Sequence, residues 1–180
     1  MVPDLGGNGR PLGLLPVLWG RFDMAPSRLI GRKLRTFLTA GSYRQRLVAE
    51  AVPRLLIARL ALLAMPFERM SRTFGTFVAP DDPQVTTSIP QDPESARLIA
   101  DIGWAIRATA PFMPFQALCL QQAMAARAML RRRGIVCRMH FGAGRDGTDS
   151  MIAHAWVEAA GIKVTGYPVP ASIAEIGCFV

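Results

Sequence analysis

Apolar residues fall into two regimes along the chain. Between about residues 27 and 133, apart from the Pro-rich stretch 76–92, they recur every three or four positions, the period of a helix with one buried face; beyond 135 they alternate, the period of a strand. Leu29, Ile30, Leu34, Phe37 and Leu38, following Pro26-Ser27, predict a first helix. A second should run from Ser42 or Tyr43 to Met65, with Leu55, Leu56, Leu60, Leu63 and Ala64 as its apolar face. Pro53 should kink it or begin a new helix, because proline lacks the N–H donor and crowds the preceding turn. Asp92-Pro93-Glu94 predicts a third start, with an acid at the cap and proline in the first turn. Its face would be Leu98, Ile99, Ile102 and Ile106, and it should end before Pro111. A fourth helix, introduced by Pro114 and Phe115, places Cys119, Ala123, Ala126 and Leu130 on one side and stops at Gly134. Arg131-Arg132-Arg133 reads as a solvated helix end whose cations suit the dipole.

The second regime predicts strands at Ile135–Phe141, Met151–Glu158 and Ile162–Thr165. Gly142 to Gly147 reads as a loop, Ala159-Ala160-Gly161 as a three-residue turn, and the tail from Tyr167 to Val180 as a sheet edge. Helices followed by a small antiparallel sheet make the fold class α+β. The expected organisation is a flexible tail (1–26), a basic helical region (27–75), a Pro-rich linker (76–92) and the core (93–180).

Charge changes this picture in one respect. The net +8 belongs to residues 1–75, which hold twelve Arg or Lys against four Asp or Glu. Such an excess suits nucleic acid, an anionic membrane surface or an acidic protein. No aromatic residues interleave with these arginines and no nucleic-acid motif is present, so nucleic acid is set aside. Three cysteines without metal spacing point away from a disulfide framework and toward a reducing, cytoplasmic setting. Val52–Phe67 is broken by Pro53, Arg54 and Arg59 and is shorter than the roughly 20 residues of a spanning helix.

Chemistry concentrates at Cys119 and His154. A thiol near a helix start gains acidity from the positive end of the helix, and a nearby imidazole can take its proton. Backbone N–H groups there supply part of an oxyanion hole, to which Gln116 could add a donor. Cys137 and Cys178 read as core thiols, and His140 is a rival base. With a three-residue turn, position 166, a glycine, stands opposite His154; with a two-residue turn the partner becomes Tyr167. Glu158 lies too far along the strand to reach the ring, and Asp149 or Glu175 would reach it only through folded-back loops. No metal or cofactor is called for.

A cysteine opening a helix and a histidine on a later strand is the chain order of papain-like and transglutaminase-like thiol sites. Pro114 to Leu120, Ala126 to Ile135 (Ala-x-x-x-Leu-Arg-Arg-Arg-Gly-Ile) and Ala153 to Glu158 (Ala-His-Ala-Trp-Val-Glu) together resemble the precursor-processing cysteine proteases of lasso-peptide biosynthesis, within the transglutaminase-like superfamily. The likeness is best over about 93–166, and the Arg/Leu-rich stretch 27–75 is similar to the family's N-terminal region. It implies a papain/transglutaminase-like core, with Cys119 as nucleophile and His154 as base. The family's acid falls near 166, where this chain has Gly166. The implied activity is removal of a leader from a ribosomally made precursor peptide. The implied partners are a separate leader-binding protein, since the chain resembles the form without that domain fused, and an ATP-dependent cyclase. Two alternatives stand beside it: another thiol acyltransferase, and a non-catalytic scaffold in the same complex.

Overall fold

The computed structural model describes residues 41–82 and 92–180. The expected tail, the helix opening at Pro26-Ser27 and most of the Pro-rich linker lie outside the described residues. Among those described, the chain forms α1 (Ser42–Ala64), α2 (Phe67–Ser71), β1 (Phe77–Val78), α3 (Pro93–Thr109), a 3-10 turn (Ala110–Phe112), α4 (Cys119–Arg131), β2 (Arg138–Arg145), β3 (Met151–Ala159), β4 (Ile162–Thr165) and β5 (Ile173–Phe179). The fold is α+β: a helical layer on a five-stranded antiparallel sheet of order β1-β5-β2-β3-β4.

The third helix starts as its sequence predicts. The Asp92 carboxylate accepts hydrogen bonds from the backbone N–H groups of Glu94 and Ser95, both at 2.9 Å. Ile99, Ile102 and Ile106 are fully buried. The second helix differs from expectation. It runs unbroken through Pro53, which lies on an exposed face. Its buried stripe is Leu47, Ala51, Leu55 and Ala58, while Leu56, Leu60 and Leu63 are exposed. The difference is one of phase, because apolar residues surround the second half of α1 and periodicity cannot choose among them. Ala51 and Ala58 win because small side chains let α1 approach α3 and α4, against which it packs.

Packing also explains the end of α4. Arg133 clasps Glu50 of α1 through both carboxylate oxygens, at 3.3 and 2.7 Å, and Arg132 reaches the same carboxylate at 3.4 Å. The arginine triplet is therefore partly an inter-helix clamp rather than wholly a solvated end. Burial works to raise the Glu50 carboxyl, but the hydrogen bond from Arg133 and the charges of Arg133, Arg132 and Arg54 outweigh it and hold it below the ordinary value.

Three expectations about the sheet are corrected. The stretch from Gly142 is not a loop: β2 continues through Gly142, Ala143 and Gly144, paired on both sides, to Arg145, which pairs with Met151 of β3. Glycine serves there because β5 passes close. A Cβ on Gly142 would meet Ile173 Cγ2 at 2.5 Å and the Ala174 carbonyl oxygen at 2.7 Å. The real turn is built by Asp146, whose carboxylate accepts from the backbone N–H groups of Thr148 and Ser150. The C-terminal tail is not an edge, since β5 lies between β2 and the two-residue β1. Finally, β3 and β4 are joined by two residues, not three. Ala159 pairs with Ile162, and Ala160 and Gly161 both take positive φ, 51° and 76°. That is the geometry whose twist matches paired strands.

The sheet presents Met139, Ala155, Val157, Ala159, Val164 and Phe179 to the core shared with the helices. The alternate residues, among them Arg138, His140, His154, Trp156 and Glu158, share the other face. Among the described residues no helix is long and apolar enough to cross a membrane.

Candidate active site

Cys119 is the first residue of α4. Leu118, extended at φ −73° and ψ 179°, precedes it and offers no side-chain cap. The first N–H groups of α4 therefore lack a side-chain acceptor, and the positive end of the helix lies at the half-buried thiol. The approach is pinned by Gln122, whose side-chain amide donates to the Ala117 carbonyl at 2.7 Å. Gln116 is exposed in this approach segment, and its carbonyl accepts from Leu118 N–H at 3.1 Å. Gln121, which the sequence reading passed over, is buried two residues into the helix with its Oε1 unpartnered. The Cys119 sulfur makes no hydrogen bond among the described residues, so the thiol and His154 are not joined in this structure.

His154 lies toward the start of β3, half-buried. Its Nε2 stands 2.6 Å from the carbonyl oxygen of Gly166. A carbonyl only accepts, so Nε2 carries the proton and, in the neutral ring, Nδ1 holds the lone pair. The ring is also stacked on Trp156, centroids 5.9 Å apart and planes 23° from parallel. Trp156 in turn stacks on His140, at 5.5 Å and 3°. The three rings form one layer because position 142, opposite His154, is glycine. A Cβ there would lie 3.0 Å from the indole.

The orienting group at His154 is thus a backbone oxygen. The register break at Val157/Glu158 and the two-residue turn remove position 166 from its expected place opposite 154. Gly166 packs on Trp156 instead, with φ 81°, and a Cβ would sit 2.5 Å from the Ala155 carbonyl oxygen and 2.6 Å from Trp156 Cβ. Only its carbonyl reaches the ring. Tyr167 makes no hydrogen bond with the ring among the described residues. Lys163 Nζ lies 5.2 Å over its ring, and burial, reinforced by the charges of Glu158 and Glu175, pushes its hydroxyl up to about 12. The four acids of the sheet region are all engaged elsewhere. Asp146 builds the turn, Asp149 pairs with Arg145 at 3.0 Å, Glu158 stands 4.0 Å from Arg138, and Glu175 binds the Nδ1 of His140 at 2.6 Å.

The rival base therefore has the carboxylate that the expected one lacks. His140, however, is 6% exposed and its Nε2 is buried without a partner. Its cross-strand neighbour is Cys178, a fully buried thiol that desolvation, and secondarily the charge of Glu175, pushes up. Burial likewise raises Cys137, against the lowering pull of Arg127. Both thiols are core residues with the thiolate disfavoured. Among the described residues, no group of three or more His, Cys, Asp or Glu side chains stands where it could hold a metal.

Comparison with known families adds one decisive finding. A family model described as the Transglutaminase-like superfamily matches residues 61–176, more than half of the chain. The chain belongs to the transglutaminase-like superfamily. No curated protein and no solved structure gives a significant match. This superfamily includes cysteine peptidases and acyltransferases. The matched span takes in the end of α1, all of α4 and nearly all of the sheet, and so contains both Cys119 and His154.

Proposed function

We propose that this chain is a cysteine peptidase that removes the leader from a ribosomally made lasso-peptide precursor, with Cys119 as nucleophile and His154 as general base and acid. The reading is supported chiefly by one pairing: a thiol on the first residue of α4, and a histidine tautomer set by the Gly166 carbonyl so that Nδ1 is the basic nitrogen. His154 takes the thiol proton, and the sulfur adds to the scissile carbonyl. The N–H groups at the start of α4, with Gln116 as a candidate additional donor, face the resulting oxyanion. Collapse breaks the C–N bond, and the proton passes from His154 to the departing amine, the new amino terminus of the core peptide. The leader remains as a thioester, which water cleaves to regenerate the thiol. A separate leader-binding protein would deliver the precursor, and an ATP-dependent cyclase would use the freed amine.

Substrate addition must bring Cys119 and His154 together, since they share no hydrogen bond here; catalytic contacts commonly tighten on substrate binding. The same missing contact favours, as a second reading, a non-catalytic scaffold in the same maturation complex. A thiol acyltransferase differs only in the acceptor, an amine in place of water. Incubation with precursor and leader-binding protein should yield free leader and core by mass spectrometry, and Cys119→Ala should yield none. Cleavage by Cys119→Ala at the wild-type rate would sink the peptidase reading. A labelled amine product formed without hydrolysis would select acyl transfer.

A further inference from the structure

A second site lies on the far half of α4, roughly 8–18 Å along the helix from Cys119 at 1.5 Å per residue. There α1, α4 and the Thr73-Phe74 segment border an open cavity of about 200 Å³. Arg54, Arg127 and Arg131 line it, together with Ile57, Phe74 and Met124; no acid does. Arg127 is the unusual member. It is 7% exposed, and it donates to the carbonyl oxygens of Phe74 and Cys137. Its Nε has no partner, and no carboxylate pairs with it among the described residues. Burial, with the neighbouring charge of Arg131 adding to it, makes this cation harder to keep. A buried charge without a counter-ion is costly, and a groove lined by that arginine, the half-buried Arg54 and the exposed Arg131, with no acid in its lining, favours an anion. Glu50, one turn before Arg54 on α1, is held by Arg132 and Arg133 and does not line the cavity.

The walls narrow the choice of anion. A cavity of this size falls below the roughly 300–1,000 Å³ usual for whole small molecules, so it suits one or two side chains. Its apolar walls continue onto α1, where Ile57 is 56% exposed and Leu60, one turn on, 61%. We propose that this groove is an exosite for an acidic, apolar peptide segment, seating a carboxylate among Arg54, Arg127 and Arg131 and an adjoining aliphatic side chain on Ile57, Phe74 and Met124. The site acts by binding alone and does not depend on the chemistry assigned to Cys119.

The test is fluorescence anisotropy on the full chain with three rhodamine-labelled peptides: (Leu-Glu-Ser)4, (Leu-Gln-Ser)4 and (Ser-Glu-Ser)4. The first should bind, and the second and third should each bind at least about tenfold more weakly, the loss of one charge-assisted contact or one buried aliphatic group. The pair Arg54→Gln with Arg131→Gln, which leaves the buried Arg127 in place, should lose about tenfold, while Arg69→Gln with Arg97→Gln, the same charge loss elsewhere, should stay within about twofold. Equal binding of the Glu and Gln peptides, equal losses in the two double variants, or no binding of the first peptide would each overturn the proposal. Displacement by inorganic phosphate at the peptide's own concentration would reduce the groove to a general anion site and would overturn it as well.

Discussion

Gly166 offers the sharpest check on how the His154 ring is held. The transglutaminase-like likeness suggests that an acid at 166 would complete a triad, so Gly166→Asp looks like a repair. The geometry predicts damage. The residue sits at φ 81°, where a side chain costs about 1–2 kcal/mol. Its Cβ would also lie 2.5 Å from the Ala155 carbonyl oxygen and 2.6 and 2.7 Å from Trp156 Cβ and Cα. All of these belong to paired strand backbone or to a side-chain root, so none can swing aside, and overpacking of this kind costs a further 1–3 kcal/mol or so. Gly166→Ala should therefore destabilise by about 2–5 kcal/mol, lowering Tm by roughly 5–15 °C in a chain of this length. Asp at 166 tolerates positive φ better but brings the same Cβ. The strain moves the carbonyl that holds His154 Nε2, and losing that one hydrogen bond should slow Cys119-dependent turnover about three- to tenfold. Thermal unfolding and single-turnover cleavage by both variants measure the two effects separately. If Gly166→Asp melts within 2 °C or so of wild type and turns over faster, a carboxylate fits after all and the register argument fails.

Two further predictions test the clamp and the choice of base. Glu50, only 14% exposed as a side chain, titrates below its ordinary value of 4.5 when folded, so its contribution is fully present above that pH and lost as pH falls through the lower folded value. Glu50→Gln should cost about 1.5–3 kcal/mol at pH 7 in denaturant titrations, and the gap to wild type should close in acid; a gap constant down to pH 3 or so would refute the assignment. For the base, His154→Gln should abolish precursor cleavage while Glu175→Gln, which removes the carboxylate from His140, should keep kcat within about tenfold of wild type. The reverse pattern would make His140 the base.

Much of the fold was legible because local rules and packing agreed. Asp92-Pro93-Glu94 had no competing structure to form, and Ile99, Ile102 and Ile106 could be buried together only as a helix face. Failures came where a second chain segment decided the outcome. Gly142 and Gly144 look like loop residues until β5 crosses them, and nothing within residues 142–147 announces that crossing. The two residues of β1 carry too short a pattern to read, so the C-terminal strand looked like an edge. In α1 the apolar residues outnumber the buried ones, and only its neighbours choose Leu47, Ala51, Leu55 and Ala58. At the site, Cys119 at the helix start was legible from Pro114 onward. The Gly166 carbonyl was not, because every residue type supplies the same oxygen. The ring layer of His154, Trp156 and His140 could have been anticipated from alternation across the two strands, had β2 been extended through Gly142.

The exchange of an acid for a carbonyl at His154 has a definite physical consequence. Either acceptor orients the ring and selects the Nε2–H tautomer. They differ once the ring is charged, because hydrogen bonds with an ionised partner are roughly twice as strong as neutral ones. In the proposed mechanism the deficit therefore falls on states in which His154 is an imidazolium, namely the thiolate–imidazolium pair and the tetrahedral intermediates, and not on the resting protein. Half-burial and the Trp156 face partly exclude water from the ring, so solvent does not make up that loss in full. A chain built this way gains less from preorganised charge; under the proposed peptidase reading it gains more from substrate that brings Cys119 and His154 into register, which fits a thiol unlinked to the histidine in the free protein.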